Sequence, residues 1–222
     1  MYPWVTHTHS HLGGECLHRC SYCYVQAMAR RFPEMKSKYS GPLRILPGEL
    51  DVAYGKGRTI FIEHMNDLFA PAVDEGIIDR ILAHCRAWPK NSYVFQTKNP
   101  ARYHEFFDRI PLLSLLGTTI ETNRQIPEIG DAPMPAKRFS AMSAIKLRAK
   151  FVTIEPIMPF DLEELAGWLK SIQPQFVNIG ADSKNHGLPE PTAAEVTALI
   201  AKLGELKIEI RQKHNLGRLL GV

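Results

Sequence analysis

A parallel α/β fold is what this sequence predicts, and three observations predict it. Short apolar runs alternate with segments whose apolar residues recur at helical spacing, almost from one end of the chain to the other. Seven strand candidates, one short of a full eight-fold ring, fit an open or partial β/α barrel of about six to seven strands. Clusters of polar residues close strand after strand, as expected where the loops of a parallel sheet converge on one mouth. A doubly wound open sheet fits the bare alternation almost as well.

The elements follow in order. Residues 5–11 form the first strand, which runs into a cysteine-rich loop, and a helix is predicted over 24–31. Residues 32–56 are rich in Pro, Gly and charge and read as a long loop with short helical pieces. A buried strand over 58–63 precedes a helix over 73–87, whose Ile77, Ile78, Ile81, Leu82 and Cys85 share one face. The strand over 93–97 leads to Asn99-Pro100, a cap followed by proline in the first turn of a helix. Strand 115–121, helix 136–149, strand 151–155 and helix 161–171 continue the alternation. Strand 176–180, helix 192–203 and strand 208–211 complete it. No linker or repeat divides the chain, so residues 1–222 are expected to form a single domain.

Composition narrows the class. The 222 residues are 45% hydrophobic with a net charge of +4, which permits a polyanionic partner without requiring one. Charges interrupt every apolar stretch, so no membrane span is expected. The first residues have neither a basic head nor an apolar core, which makes the cytoplasm the default compartment.

The chemistry concentrates in Cys16-Leu17-His18-Arg19-Cys20-Ser21-Tyr22-Cys23. Three thiolates in one loop can each take a different iron of a cubane cluster, leaving the fourth iron without a protein ligand. A structural zinc site would show two Cys/His pairs separated by a loop. The remaining cysteine, Cys85, lies on a helical apolar face and reads as a small buried hydrophobe. The spacing, with an aromatic residue just before the third cysteine, resembles the cluster loop of the radical S-adenosylmethionine superfamily. The resemblance implies a partial-barrel core, a [4Fe–4S] cluster on Cys16, Cys20 and Cys23, and S-adenosyl-L-methionine chelated by the free iron. It also implies reductive release of a 5′-deoxyadenosyl radical, with an external flavodoxin- or ferredoxin-like electron donor.

A narrower resemblance rests on the order Ser-Tyr-Cys-Tyr, His-Met-Asn-Asp-Leu-Phe, Gln-Thr-Lys-Asn-Pro, Thr-Ile-Glu-Thr-Asn, Phe-Val-Thr-Ile-Glu-Pro and Val-Asn-Ile-Gly-Ala-Asp. This order resembles small phage- and prophage-associated radical S-adenosylmethionine-like proteins, similar in layout to spore photoproduct lyase relatives. The chain departs from them where His64-Met65-Asn66-Asp67 replaces a glycine-glycine-glutamate, and where Thr6-His7-Thr8-His9-Ser10-His11 replaces a Trp-Asn-Pro stretch. From the resemblance, Tyr22 lies against the adenine, and Asn66 and Asp67 are candidates for the cofactor's amino group. Thr119 and Glu121 are candidates for the ribose hydroxyls, and Lys98 or Arg138 for the cofactor's carboxylate. Glu155, on the substrate side, and Lys98 are the candidate catalytic side chains. For Glu121 and Glu155 a salt bridge inside the barrel is the competing reading.

Two further features bear on function. His7, His9 and His11 alternate along one strand face, a second metal site or proton relay on one reading and a polar lumen or solvent face on the other. Three ligands on one strand lie about 7 Å apart in succession, which hinders convergence on one ion. Basic residues Arg19, Arg30, Arg31, Lys36, Lys38, Arg44, Lys56 and Arg58 are interleaved with Tyr24, Phe32, Tyr39 and Tyr54. Cations that contact phosphates beside rings that stack on bases suggest a nucleic-acid substrate, to be modified or repaired. A peptide-modifying enzyme or activase is the alternative substrate reading, and a redox sensor or binding module the non-enzymatic one.

Overall fold

The computed structural model describes residues 2–127, 130–184 and 186–221. In chain order the elements are β1 (His7–His9), β2 (Leu12–Gly13), α1 (Tyr24–Arg31), α2 (Pro33–Lys38), β3 (Arg44–Ile45), β4 (Thr59–Ile62), α3 (Glu75–Arg86), β5 (Ser92–Thr97) and α4 (Arg102–Glu105). They continue as β6 (Ser114–Thr119), α5 (Pro135–Ala144), β7 (Ala149–Ile154), α6 (Leu162–Ile172), β8 (Phe176–Ile179), α7 (Ala193–Glu205), β9 (Glu209–Gln212), a 3-10 turn over His214–Leu216 and α8 (Gly217–Leu220). Seven strands make one sheet in the order β1-β4-β5-β6-β7-β8-β9, every neighbouring pair parallel. β1 and β9 are its two edges and do not pair with each other, so the barrel is open.

Strand alternation sorts the residues into two layers. Ile60 and Ile62, Tyr93 and Phe95, Val152 and Ile154, and Val177 and Ile179 point toward the helices and join the main core. The opposite face of the same strands carries Phe61, Val94, Leu115, Phe151 and Phe176, which close the lower lumen together with Tyr2 and Trp4. The Tyr2 ring stacks on Trp4 at 5.2 Å, and its hydroxyl lies 2.7 Å from both Gln96 Oε1 and Thr153 Oγ1. A side chain at Gly117 would enter the Phe151 ring, so a bare backbone is what lets that ring lie across the lumen.

The elements depart from the sequence reading in four places. The first strand stops at His9, because Glu63 leaves the sheet at a φ of 58° and its carboxylate takes the backbone N–H groups of His11 (2.6 Å) and Leu12 (3.3 Å). The freed segment forms β2 and pairs antiparallel with β3. The helix expected over 136–149 ends at Ala144. There Lys150 Nζ, on the adjoining strand, satisfies the terminal carbonyls of Met142 (3.3 Å) and Ile145 (2.6 Å). The helix after Asn99-Pro100 is a single turn, and the turn and helix over 214–220 lie beyond the last predicted strand. Thr192 begins α7 with a reciprocal cap, its hydroxyl taking the Glu195 N–H at 3.3 Å while Glu195 takes the Thr192 N–H at 2.7 Å.

Candidate functional site

The cysteine loop lies between β2 and α1, with Cys23 as the N-cap of the helix, so the loop faces the positive end of a helix dipole. Cys20 is buried, and Cys16 and Cys23 are partly so. Burial raises the Cys20 thiol and, with help from Asp67, pushes Cys16 up to about 12. Gly14 enters the loop at a φ of 91°, where any side chain would run into the Pro42 carbonyl. Among the described residues, the group of three or more Cys, His or acidic ligand atoms close enough for one ion is His9, His11 and His84. Three thiolates presented by one loop suit a cluster in which each meets its own iron.

Asp67 braces the loop from below. Its Oδ2 accepts from His18 Nε2 (2.7 Å) and from the Lys98 backbone N–H (2.8 Å), and its Oδ1 from the Phe69 N–H (3.0 Å). Burial opposes its ionisation, but His18, the Lys98 N–H and the Thr97 hydroxyl outweigh burial and hold the carboxyl below its ordinary value. Asn66 reaches the other flank, donating to the Gly14 carbonyl at 3.1 Å. As placed here, both residues tie the segment after β4 to the cysteine loop.

A second cluster stands over the mouth. Glu121, fully buried after β6, accepts from Tyr22, from Lys98 Nζ and from Arg138 Nη1, the last at 2.8 Å. Lys98 Nζ also donates to Tyr22 Oη at 2.7 Å and lies 4.9 Å from the centre of that ring. Burial alone would raise the Glu121 carboxyl, yet Arg138 and Lys98 prevail and hold it at about 2. Burial, and after it the same carboxylate, push the Tyr22 phenol upward, so it stays protonated. Arg138 is itself fully buried and donates to the Thr119 and Pro133 carbonyls, and among the described residues its Nη2 has no partner. It borders a cleft of about 310 Å³ with Lys137, Asn99 and Asp131.

Deeper in the lumen Thr119 Oγ1 accepts from Gln96 at 2.9 Å, and Thr153 from Asn178 at 3.2 Å. Glu155 pairs with Lys213 and accepts from Asn215 at 3.2 Å. Gly180 is bare beside it, since a Cβ there would sit 2.9 Å from the Glu155 carboxyl carbon. Both carboxylates, Glu121 and Glu155, thus make the internal salt bridges that competed with their cofactor and substrate readings. Lys213 and Asn215 carried no functional expectation, although Lys213 stands in the polar cluster that ends the last strand. A separate cleft of about 350 Å³ opens at the opposite pole, beside Ser92, Ser114 and Ala149 at the starts of β5, β6 and β7. It holds none of the charged residues of the mouth.

Three expectations are corrected. His7 is exposed and among the described residues its ring bonds Thr6, at 2.9 Å, so the triple-histidine face does not act as a unit. His9 and His11 do approach, with rings 4.3 Å apart, because His11 lies past the end of β1 and is free of the strand spacing. Tyr39 and Tyr54 are buried, hence unavailable to stack on bases, and Arg44 is spent on the carbonyls of Ser37, Lys38, Ser40 and Pro42. Cys85 is buried in the core, as its helical spacing indicated.

A family model described as a protein of unknown function, DUF5131, matches residues 3–186. The chain belongs to that family. No curated protein matches the sequence. Among solved structures, a spore photoproduct lyase superposes with a TM-score of 0.63 at 12% identity, over 96% of this chain and 77% of that one. Another spore photoproduct lyase, with bound AdoMet and dinucleoside spore photoproduct, gives 0.54 at 14% identity, over 90% and 61%. Streptococcus suis SuiB bound to S-adenosylmethionine gives 0.58 at 8% identity, over 95% of this chain and 51% of SuiB, so the chain spans about half of SuiB's length. At these identities the likeness is one of fold, and the fold is the radical S-adenosylmethionine partial barrel. Among the described residues no helix is long and apolar enough to cross a membrane.

Proposed function

We propose that the chain is a radical S-adenosylmethionine enzyme, one domain over residues 1–222, with a nucleic acid as its substrate. The observation that carries the reading is a loop of three free cysteines at the mouth of an open parallel barrel, its last cysteine capping α1. Cys16, Cys20 and Cys23 would hold the [4Fe–4S] cluster, and the uncommitted iron would take the amino and carboxylate groups of S-adenosyl-L-methionine. When bound, the cluster supplies the electron that breaks the cofactor's sulfonium bond, drawn from a flavodoxin- or ferredoxin-like donor.

The chain's own residues have separable tasks. Asp67 and Asn66 fix the cysteine loop from two sides, so its thiols are presented without reorganisation. Tyr22, gripped by Glu121 and Lys98, is held as a neutral phenol against the place the adenine would take. Arg138 offers the orphaned Nη2 toward an acceptor such as the cofactor's carboxylate, since a buried donor left unpaired costs about 1–3 kcal/mol. Thr119, beside this group, remains the ribose candidate, with Glu121 acting from behind. Glu155 and Lys213 line the substrate side. The nucleic-acid assignment rests on exposed Lys36 and the half-exposed Lys38 beside exposed Phe32 and Tyr24 near the loop.

Anaerobic reconstitution tests the core of the reading. The protein should take up about four irons per chain. With dithionite and S-adenosylmethionine it should then release 5′-deoxyadenosine. Cys20→Ala should abolish both. A fully loaded protein that binds no S-adenosylmethionine would instead be a redox sensor or binding module.

A further inference from the structure

We propose that His9, His11 and His84 form a second metal site, distinct from the cysteine loop, that takes one divalent ion of the zinc class. One ring nitrogen of each residue lies within 4.8 Å of the other two. The site sits on the helix side of the sheet. His9 is in register with Ile62, which points into the core beside α3, and His84 projects from α3 to meet it.

Hydrogen-bond accounting makes this cluster more than a buried polar group. His84 Nε2 lies 2.8 Å from the Val52 carbonyl, which can only accept, so Nε2 carries the hydrogen. His11 Nδ1 lies 2.8 Å from Glu63 Oε1, an oxygen that already accepts the His11 backbone N–H, so Nδ1 donates there. The remaining nitrogens, His11 Nε2 and His84 Nδ1, therefore present lone pairs to each other across 2.9 Å. The Tyr54 hydroxyl, 3.1 Å from His11 Nε2, can quiet one of them but not both. Two converging lone pairs in a buried pocket are the donor arrangement for a cation, and a metal would spread them to about 3.3 Å.

The surroundings fit a histidine-ligated metal. Metal-bound histidines characteristically pass their other N–H to a carboxylate or a backbone carbonyl, which fixes the tautomer and raises ligand basicity. Glu63 does this for His11 and Val52 for His84. For His9 the Glu49 backbone carbonyl does it: Nε2 lies 3.1 Å away and carries the hydrogen, which leaves Nδ1 for the ion. Three imidazoles with a water oxygen in the fourth position suit zinc, and the borderline ions copper and nickel compete by affinity. Such an ion would pin edge strand β1 to α3. Glu63 also holds the Leu12 N–H, so the same ion would steady the segment leading into the cysteine loop.

The test separates this site from the thiols. The full chain carrying Cys16→Ser, Cys20→Ser and Cys23→Ser is titrated with Co2+ and then Zn2+. One equivalent of cobalt should give ligand-field bands of a tetrahedral nitrogen and oxygen site with no thiolate charge-transfer band, and zinc should displace it. His9→Gln, at the partly exposed rim, and His84→Gln should each remove the bands. Glu63→Gln should weaken binding by about 10–100-fold. In parallel, the iron-loaded chain with its cysteines intact should hold one zinc beyond its iron, lost in His9→Gln. A folded chain that binds no cobalt, or bands that persist unchanged in both histidine variants, would overturn the proposal.

Discussion

Replacing Glu121 with glutamine removes the charge on which Lys98, Arg138 and Tyr22 converge. The carboxyl has an ordinary value of 4.5 and is held at about 2 in the fold, and each unit of that difference is worth about 1.4 kcal/mol. The ionised group therefore contributes about 3 kcal/mol at neutral pH. Because the folded value is the lower one, the contribution is complete above the unfolded value and fades as pH falls toward the folded one. The stability gap between the parent chain and Glu121→Gln should be flat from neutral pH to about pH 5.5, then narrow to about 2 kcal/mol near pH 3.5. At neutral pH the variant should melt about 6–12 °C lower, for a chain of this size. The amide also leaves a fully buried guanidinium without its counter-charge, so the loss should not be smaller than this. Urea denaturation of both proteins across the pH range measures the gap directly. A gap near zero at pH 7, or one that does not change below pH 4.5, would refute the view that this carboxylate is ionised and doubly paired.

Three other outcomes are expected. Asp67→Ala should orphan His18 Nε2 and two backbone N–H groups, lowering stability by about 2–4 kcal/mol in urea and reducing the iron retained after reconstitution; full iron retention would mean the loop needs no brace. Lys98→Met should weaken S-adenosylmethionine binding about tenfold or more, the worth of one charged hydrogen bond, and unchanged affinity by calorimetry would remove Lys98 from the cofactor site. Single-stranded oligonucleotide binding should fall steeply with salt, and Lys36→Gln with Lys38→Gln should flatten the log–log slope by about 1.4; no binding at low salt would favour a peptide substrate.

How much of this was legible in the sequence differs from residue to residue. Strand positions were readable because Ile60, Val94, Val152 and Val177 sit in short apolar runs bounded by polar loops, a signal that needs only local pattern. Helix α1 was placed at its observed bounds. The end of β1 was not readable, since it depends on a glutamate 52 positions away capturing the His11 N–H. Cys16, Cys20 and Cys23 announced themselves by spacing alone. The roles of Asp67 and Glu121 did not, because whether a buried carboxylate faces a ligand or a neighbouring cation is decided by partners such as Arg138, distant in sequence. His84 did carry a clue: it lies three residues after Ile81 and seven after Ile77, on the apolar stripe of α3, where an imidazole must find company.

The free edges of β1 and β9 have a consequence for how copies of the chain behave at high concentration. Each exposes a row of backbone donors and acceptors, the surface on which foreign strands add and fibres begin. β9 meets that hazard with chemistry: Glu209 and Arg211 form an ion pair at 2.7 Å, and Gln212 follows, so a strand docking there would have to strip water from charge. β1 meets it with brevity, three residues long before Glu63 pulls the chain aside. Swapping Glu209 and Arg211 for valines would leave the fold its hydrogen bonds and take away what keeps that margin from recruiting a neighbour.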